Sequence, residues 1–327
     1  MKPASHRYRF LAPIGIVVGL AASAVAGCAS SPPATAHVAA VERPDLTVGV
    51  VQSVTAGGLY VAAQRGYFTA AGLNVRIVPI QGAGPAMPLL LNGTLDVTDG
   101  NLVSYFSAEA HGAVKLRILA EGYQAGPHGF EVVTLPSAHV TSVAGLRGTL
   151  IGVNATSDVS QLVIDAALAA HQVPVSAVRF TVIPFPDMAT ALKAHRVDAA
   201  WLTEPYLTQA RAALGAQPVF DSDQGATRNL PIAGAVTTTS WARRYPKTAA
   251  AFIGALDRGQ AYANANRAAL EQALLRYTKI SSHLVTLISV GRYPTATDAG
   301  QMQRIADLMD TYGLLKTRLD TSQMLAG

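Results

Sequence analysis

The chain has 327 residues, 50% of them hydrophobic and only 14% charged, with a formal net charge of +5. Three positive charges, Lys2, Arg7 and Arg9, sit in the first nine residues, so the remainder is near +2 and carries no run of Lys or Arg. That balance gives nucleic-acid binding no electrostatic support, and a single cysteine excludes an internal disulfide or a multi-cysteine metal site.

The basic start leads into an uncharged apolar stretch from Leu11 to Gly27. About 17 residues is short for a spanning helix and suits a secretory signal. Val25-Ala26-Gly27-Cys28 resembles a bacterial lipobox, in which Cys28 is acylated and becomes the first residue of the mature protein. Several acyl chains on one residue would hold a protein at a membrane far better than one chain. Ala29 to Pro44 is rich in Ala, Pro and Ser without periodicity, as in a flexible spacer. We therefore expect a signal peptide over 1–27, a tether over 28–45 and a folded part of about 280 residues, enough for two lobes. No other uncharged apolar stretch of 18 residues occurs, so the rest is expected to be soluble.

The folded part contains a duplicated pattern. Leu90 to Val97 (LLNGTLDV) lines up with Leu192 to Ala199 (LKAHRVDA), shifted by 102 positions. Ahead of these, Ile77-Val78-Pro79-Ile80 resembles Val182-Ile183-Pro184-Phe185, and Val48-Gly49-Val50 resembles Ile151-Gly152-Val153. In each half, short β-branched runs alternate with segments of helical period: Gly58 to Ala71 and Pro85 to Asn92, then Ser157 to His171 and Asp187 to His195. Strands joined through helices imply parallel sheets with right-handed crossovers, hence two α/β lobes. Leu116 to Gly122, Phe130 to Leu135 and Pro231 to Thr239 read as extended. The tail reads as helical over Pro246–Asn264, Arg267–Tyr277, Ser281–Val290 and Asp298–Tyr312. The economical division puts residues 46–135 and 230–327 in lobe one and 136–229 in lobe two, with a two-strand hinge and a cleft between.

Several segments resemble one known family. Arg65 to Val75 (RGYFTAAGLNV), Leu90 to Asp96, Leu146-Arg147-Gly148 with Ile151-Gly152-Val153, Val197-Asp198-Ala199 with Glu204-Pro205, and Trp241 to Phe252 (WARRYPKTAAAF) follow one another in the chain. In that order they resemble the extracytoplasmic substrate-binding proteins of ABC importers that take aliphatic sulfonates, taurine, nitrate or the thiamine pyrimidine. The resemblance implies a two-lobed periplasmic-binding-protein-like (type II) α/β fold and a small-molecule ligand. It also implies an ABC permease with its cytoplasmic ATPase as partners, no cofactor, and a monomer on the outer face of the cell membrane, anchored through Cys28.

Ligands of open α/β sheets sit beyond the carboxyl ends of the strands, against helix N-termini. The expected contacts after the first three strands are Gln52, Ser53 and Thr55, then Gly82 and Gly84, then Asp99 and Asn101. In lobe two they are Asn154, Thr156 and Ser157, followed by Phe185, Asp187, Trp201 and Glu204. The hydroxyl and amide residues are equally the types that cap helices, and the aromatics equally the types that fill cores. Converging helix N-termini can hold an anion without a buried Lys or Arg. Three carboxylates, Asp99, Asp187 and Glu204, would instead disfavour a bare anion and favour a heterocycle or an amino-containing acid.

VDAAWLTEPY, Val197 to Tyr206, poses the sharpest question, because a carboxylate closes a buried strand. Pro205 suits a first helical turn and Glu204 the positive end of that helix, so Glu204 has a structural role to which its place adds a binding one. No GxSxG, HExxH or GxxxxGK[ST] occurs, and the eight histidines have no metal-ligand spacing. The cysteine-rich iron site of the branch that makes the thiamine pyrimidine is missing. The expectation is a binding protein with no catalytic residue and no metal; the alternatives are a ligand-sensing lipoprotein and an enzyme on the same fold.

Overall fold

The structure is a computed structural model that describes residues 40–112 and 114–325. Cys28, the signal segment and most of the expected tether lie outside the described residues.

β1 (Asp45–Val51) is followed by a 3-10 turn, α1 (Gly57–Gln64) and α2 (Tyr67–Ala70). The expected single helix over 58–71 is broken because Gly66 adopts φ 69°, a left-handed conformation that glycine enters without strain. Then come β2 (Asn74–Ile80), α3 (Ala83–Leu91), β3 (Val97–Asn101), α4 (Leu102–Ala110) and β4 (Leu116–Gln124). β5 (Phe130–Thr134) leads to β6 (Leu150–Val153), α5 (Val159–Ala170), β7 (Arg179–Val182) and α6 (Phe185–Lys193). β8 (Ala199–Thr203), α7 (Tyr206–Leu214), β9 (Gln217–Asp221) and β10 (Pro231–Thr238) complete the strands. The tail holds α8 (Thr239–Arg244), α9 (Pro246–Ala265), α10 (Arg267–Tyr277) and α11 (Ala299–Thr311).

The strands form two five-stranded sheets, ordered β2-β1-β3-β10-β4 and β7-β6-β8-β5-β9. In each, the first three strands are parallel and the fourth runs against its neighbours. The internal repeat is the reason for the match: α3 and α6, and β3 and β8, lie 102 positions apart end to end. Asp96 and Asp198 have the same local task. Asp96 Oδ2 accepts the Thr47 N–H at 2.9 Å and Asp198 Oδ2 the Leu150 N–H at 2.8 Å, each pinning the start of the neighbouring parallel strand. Gly49 and Gly152 let β1 and β6 pass tight against Leu95 and Met188, where an added Cβ would come within 2.7 Å of either side chain.

The fourth place in each sheet is filled from across the hinge. β5 pairs with β8 and β9, so residues 130–134 belong to the second sheet, not to lobe one as the sequence division had it. Its run of buried side chains fits either sheet, and only pairing decides. The chain crosses between Gln124 and Phe130 and returns between Asp221 and Pro231. The Ala125 N–H donates to Leu230 O and ties the two crossings together. On the first sheet α1, α2 and α9 cover Leu46, Val48 and Val50 with Leu59, Phe68, Phe252 and Leu256 in one apolar cluster.

Two segments differ from the sequence reading for tertiary reasons. Ser281–Val290 contains only a 3-10 turn at Leu284–Leu287. Its backbone bonds elsewhere: Arg267 Nη2 donates to Val285 O and Ile288 O, and the Ser289 N–H donates to Glu204. Glu42 and Arg43, assigned to the tether, are docked. The Glu42 carboxylate accepts the Lys247 and Thr248 N–H groups at the start of α9, and Arg43 pairs with Asp96 at 2.7 Å.

Candidate functional site

The two sheets point the carboxyl ends of their parallel strands at one another, and a narrow cleft lies between them. Lobe one contributes Val51, Ser53 and Thr55 from the end of β1 and the turn after it, with Gly100 and Asn101 closing β3. Lobe two contributes Asn154 and Val159 after β6, Phe185 opening α6, and Trp201 and Thr203 on β8. The exchanged strands supply Phe130 from β5 and Ile232 and Ala233 from β10.

Local chemistry fixes each polar group. Ser53 caps the 3-10 turn at Val54–Ala56, with its Oγ 2.8 Å from Thr55 Oγ1. Asn101 caps α4, its Oδ1 accepting the Ser104 N–H at 2.8 Å. The cap of α5 is Asp158, whose Oδ1 accepts the Ser160 N–H at 2.9 Å. Two buried lining atoms, Asn154 Oδ1 and Thr203 Oγ1, have no hydrogen-bond partner, a condition native structures seldom leave without a reason. The far wall is aromatic: Phe130 stacks on Trp201 with centroids 5.5 Å apart, and Phe185 stacks on Tyr206 at 5.3 Å. Trp201 Nε1 is held by Ser222 Oγ at 3.0 Å, which fixes the indole plane.

Six of the fourteen expected contacts therefore meet in one cleft: Ser53, Thr55, Asn101, Asn154, Phe185 and Trp201. The other eight do not line it. Gln52 is half-buried on the rim, its carbonyl accepting the Tyr206 hydroxyl at 2.9 Å. Gly82 is buried at the start of α3, while Gly84 is exposed with open space around it. Thr156 and Ser157 are exposed. The Ser157 carbonyl accepts from Ser104 Oγ at 3.5 Å, a contact between the lobes. Asp187 is exposed in the first turn of α6.

Asp99 and Glu204 are buried away from the cleft. Asp99 is 4% exposed, and burial pushes its carboxyl up to about 7. Its Oδ1 has no partner and lies 3.2 Å from where a Cβ on Gly122 would sit. Glu204 is fully buried and turned into α7 and the tail. It accepts Thr208 Oγ1 at 2.8 Å, the Thr208 N–H at 3.1 Å and the Ser289 N–H at 3.2 Å. Burial raises its pKa against those bonds. The expected trio of carboxylates is thus absent from the lining, and with it the argument against an anionic ligand: a strand-end position does not say which way the side chain turns.

Glu204 still matters to the cleft through its backbone. Its carbonyl accepts the Val54 N–H at 2.9 Å, so the two lobes touch directly beside Ser53. With the Tyr206–Gln52 bond this closes one rim of the cleft. Seven lining residues, Val51, Gly100, Phe130, Val159, Thr203, Ile232 and Ala233, were not among the expected contacts. Thr203 had a signal, because it stands 102 positions after Asn101. Ile232 and Ala233 had none, because β10 reaches the first sheet from the other lobe. Among the described residues there is no group of three or more His, Cys, Asp or Glu that could hold a metal, and no helix long and apolar enough to cross a membrane.

The chain belongs to the NMT1/THI5-like family, whose model matches residues 54–270. No curated protein matches it by sequence. Among solved structures it is similar to the alkanesulfonate-binding protein SsuA from Xanthomonas axonopodis pv. citri bound to MOPS, at 16% identity and a TM-score of 0.74, over 88% of this chain and 99% of that one. It is also similar to the nitrate-binding protein NrtA from Synechocystis PCC 6803, at 15% identity and a TM-score of 0.73, over 86% and 85% of the two chains. These likenesses establish the two-lobed periplasmic-binding-protein fold.

Proposed function

We propose that the protein is the extracytoplasmic solute-binding component of an ABC-type import system. In this reading it captures a small organic solute of the sulfonate or heterocycle kind between its lobes and delivers it to a membrane permease. The observation that carries the reading is the make-up of the cleft. It is walled by Phe130, Phe185 and Trp201, is lined by no Lys, Arg, His or carboxylate among the described residues, and holds partnerless oxygens on Asn154 and Thr203. Rings give a flat or apolar part of a solute a surface, and the hydroxyls and amides orient its polar head.

Closure is the mechanism. The bonds from Val54 to Glu204 and from Tyr206 to Gln52 form only when the lobes meet. A solute touching both lobes stabilises that form over an open one. Acylation at Cys28 would hold the monomer near its permease. A thermal-shift panel of sulfonates, nitrate, pyrimidines, flavins and amino acids tests the proposal, since a solute that binds the native state raises its melting temperature. A hit recovered chemically unchanged, with compaction in X-ray scattering, is the expected result. No shift with any solute of the panel, or turnover of the hit, would sink it.

A further inference from the structure

The end of the first lobe away from the cleft carries a second surface feature. Two adjoining grooves share Leu91, Thr238 and Ser240, where β10 ends and β4 begins. Arg43 and Arg244 line one groove, and Lys115, Arg117 and Arg243 line the other. The only carboxylates in the walls, among the described residues, are Asp96 and Glu109, both buried. Asp96 holds the Thr47 N–H and the Trp241 Nε1–H, and Glu109 holds the Leu116 N–H. Arg43 pairs with Asp96 at 2.7 Å and Lys115 with Glu109 at 3.0 Å, so Arg117, Arg243 and Arg244 carry the net positive charge of the face.

The face is amphipathic as well as basic. Leu91 is 53% exposed. Tyr245 lies between the guanidinium groups of Arg43 and Arg244, 5.8 and 5.5 Å from its ring centre, and meets Trp241 edge-on at 5.4 Å. Exposed leucine, half-buried Trp and Tyr, and long cationic side chains are the residue types of a membrane–water boundary. An acidic protein loop would match the cations but leave Leu91 in water. The chain also enters the folded body here: Arg43 lines the groove, and Glu42 is bonded at the start of α9. Cys28 stands 12 residues before Ala40, a reach of roughly 40 Å fully extended.

We propose that this face docks on anionic phospholipid headgroups, whose phosphates are taken by Arg243 and Arg244 while Leu91 enters the interface. Its nearness to a membrane rests on the reading of Cys28 as the anchor; the charge and shape of the face do not. Each Arg or Lys near an anionic surface contributes about 1 kcal/mol, and salt screens it. The test uses the mature chain, residues 28–327, with Cys28→Ser, which cannot be acylated and lacks the apolar signal segment, and vesicles of phosphatidylglycerol and phosphatidylcholine or of phosphatidylcholine alone. Sedimentation should show binding to the anionic vesicles that 0.5 M salt removes.

Arg243→Glu with Arg244→Glu should lower that binding by about 30-fold, whereas Arg243→Lys with Arg244→Lys should retain it. Unchanged melting temperatures and solute binding would show both variants folded. Equal binding by the Glu variant, or equal binding to neutral vesicles, overturns the proposal. Displacement of the vesicles by free inorganic phosphate at millimolar level overturns it too, as does a face that binds only an acidic protein partner. Mass spectrometry of the unsubstituted protein reports acylation at Cys28 separately, so the anchor and the docking face can fail independently.

Discussion

The strands β3 and β8, each leading into a helix (α4 and α7), lie 102 positions apart and are used in opposite ways. Lobe one places Asp99, Asn101 and Leu102 where lobe two places Trp201, Thr203 and Glu204. In lobe one the strand end is turned inward. Asp99 is buried out of the cleft, and Asn101 spends its Oδ1 on the first turn of α4. In lobe two the strand end opens toward the solute: Trp201 forms the wall and Thr203 Oγ1 has no partner. Register set by the repeat decides where a residue stands, while the neighbours decide what it can do. The first lobe supplies a finished floor and the second supplies unsatisfied groups, an asymmetry that suits a clamp closing on something.

The largest effects should come from exchanging what the two lobes bury at the shared position. Trp201→Ala removes a side chain that is 1% exposed and stacked on Phe130. It should cost about 3 to 5 kcal/mol in urea unfolding and abolish tight solute binding in the same preparation. A variant that keeps its affinity would mean that the aromatic wall is core rather than site.

Asp99→Asn probes the other lobe and should show itself through pH. The folded carboxyl titrates at about 7 against 3.8 ordinarily, because burial penalises its charge. Between pH 4 and 7 the native state therefore keeps a proton that the unfolded chain has lost. Stability falls as pH rises through that window and levels above it. The shift corresponds to at most about 4 kcal/mol. The difference between variant and parent should grow from pH 4 to 7 and then stay constant. A flat difference would mean that Asp99 is ionised and partnered in the folded protein.

The same contrast explains what could be read from the sequence. Pattern repeats at an offset of 102 place α3 with α6 and β3 with β8, because backbone periodicity and the strand-pinning Asp96 and Asp198 are local. The lobe boundary failed at β5, since residues 130–134 are buried and extended in either sheet and only long-range pairing chooses between them. Among site residues, Ser53, Thr55, Asn101 and Asn154 were legible as strand-end residues with capping chemistry. Asp99 and Glu204 carried the same positional signal and were misread. What turns them away is the chain around Gly122 for one and Thr208 with Ser289 for the other, none of it adjacent in sequence to the strand end it meets.

Glu204 sharpens the comparison at the next position, where lobe one has the apolar Leu102. Glu204→Leu would leave two N–H donors and one hydroxyl without their acceptor. The expected loss is about 2 to 3 kcal/mol. Glu204→Gln retains one acceptor oxygen and should lose about 1 kcal/mol. Neither change touches the lining, so solute affinity should fall only if the contact between Val54 and the Glu204 carbonyl loosens. Compaction on solute addition, followed by scattering, reads that directly: a variant that binds and compacts like the parent would show that this rim contact does not control closure.

The smallest effect separates a cap from a contact. Asn101→Ala deletes a helix cap and should cost about 1 kcal/mol. Thr203→Val is close in volume and removes an oxygen that bonds to nothing, so stability should stay within about 0.5 kcal/mol or rise. If the oxygen is kept for the solute, affinity should nevertheless fall by up to about tenfold, the worth of one good hydrogen bond. Calorimetric titration of the hit from the thermal-shift panel supplies that number. A loss of affinity without a loss of stability can come only from a group reserved for the bound state. Two equivalent positions would then divide cleanly, Asn101 working for the fold and Thr203 for the ligand. If Thr203→Val binds as tightly as the parent, the solute makes its polar contacts elsewhere in the cleft, and Asn154, the other lining residue with an unpartnered oxygen, becomes the position to test.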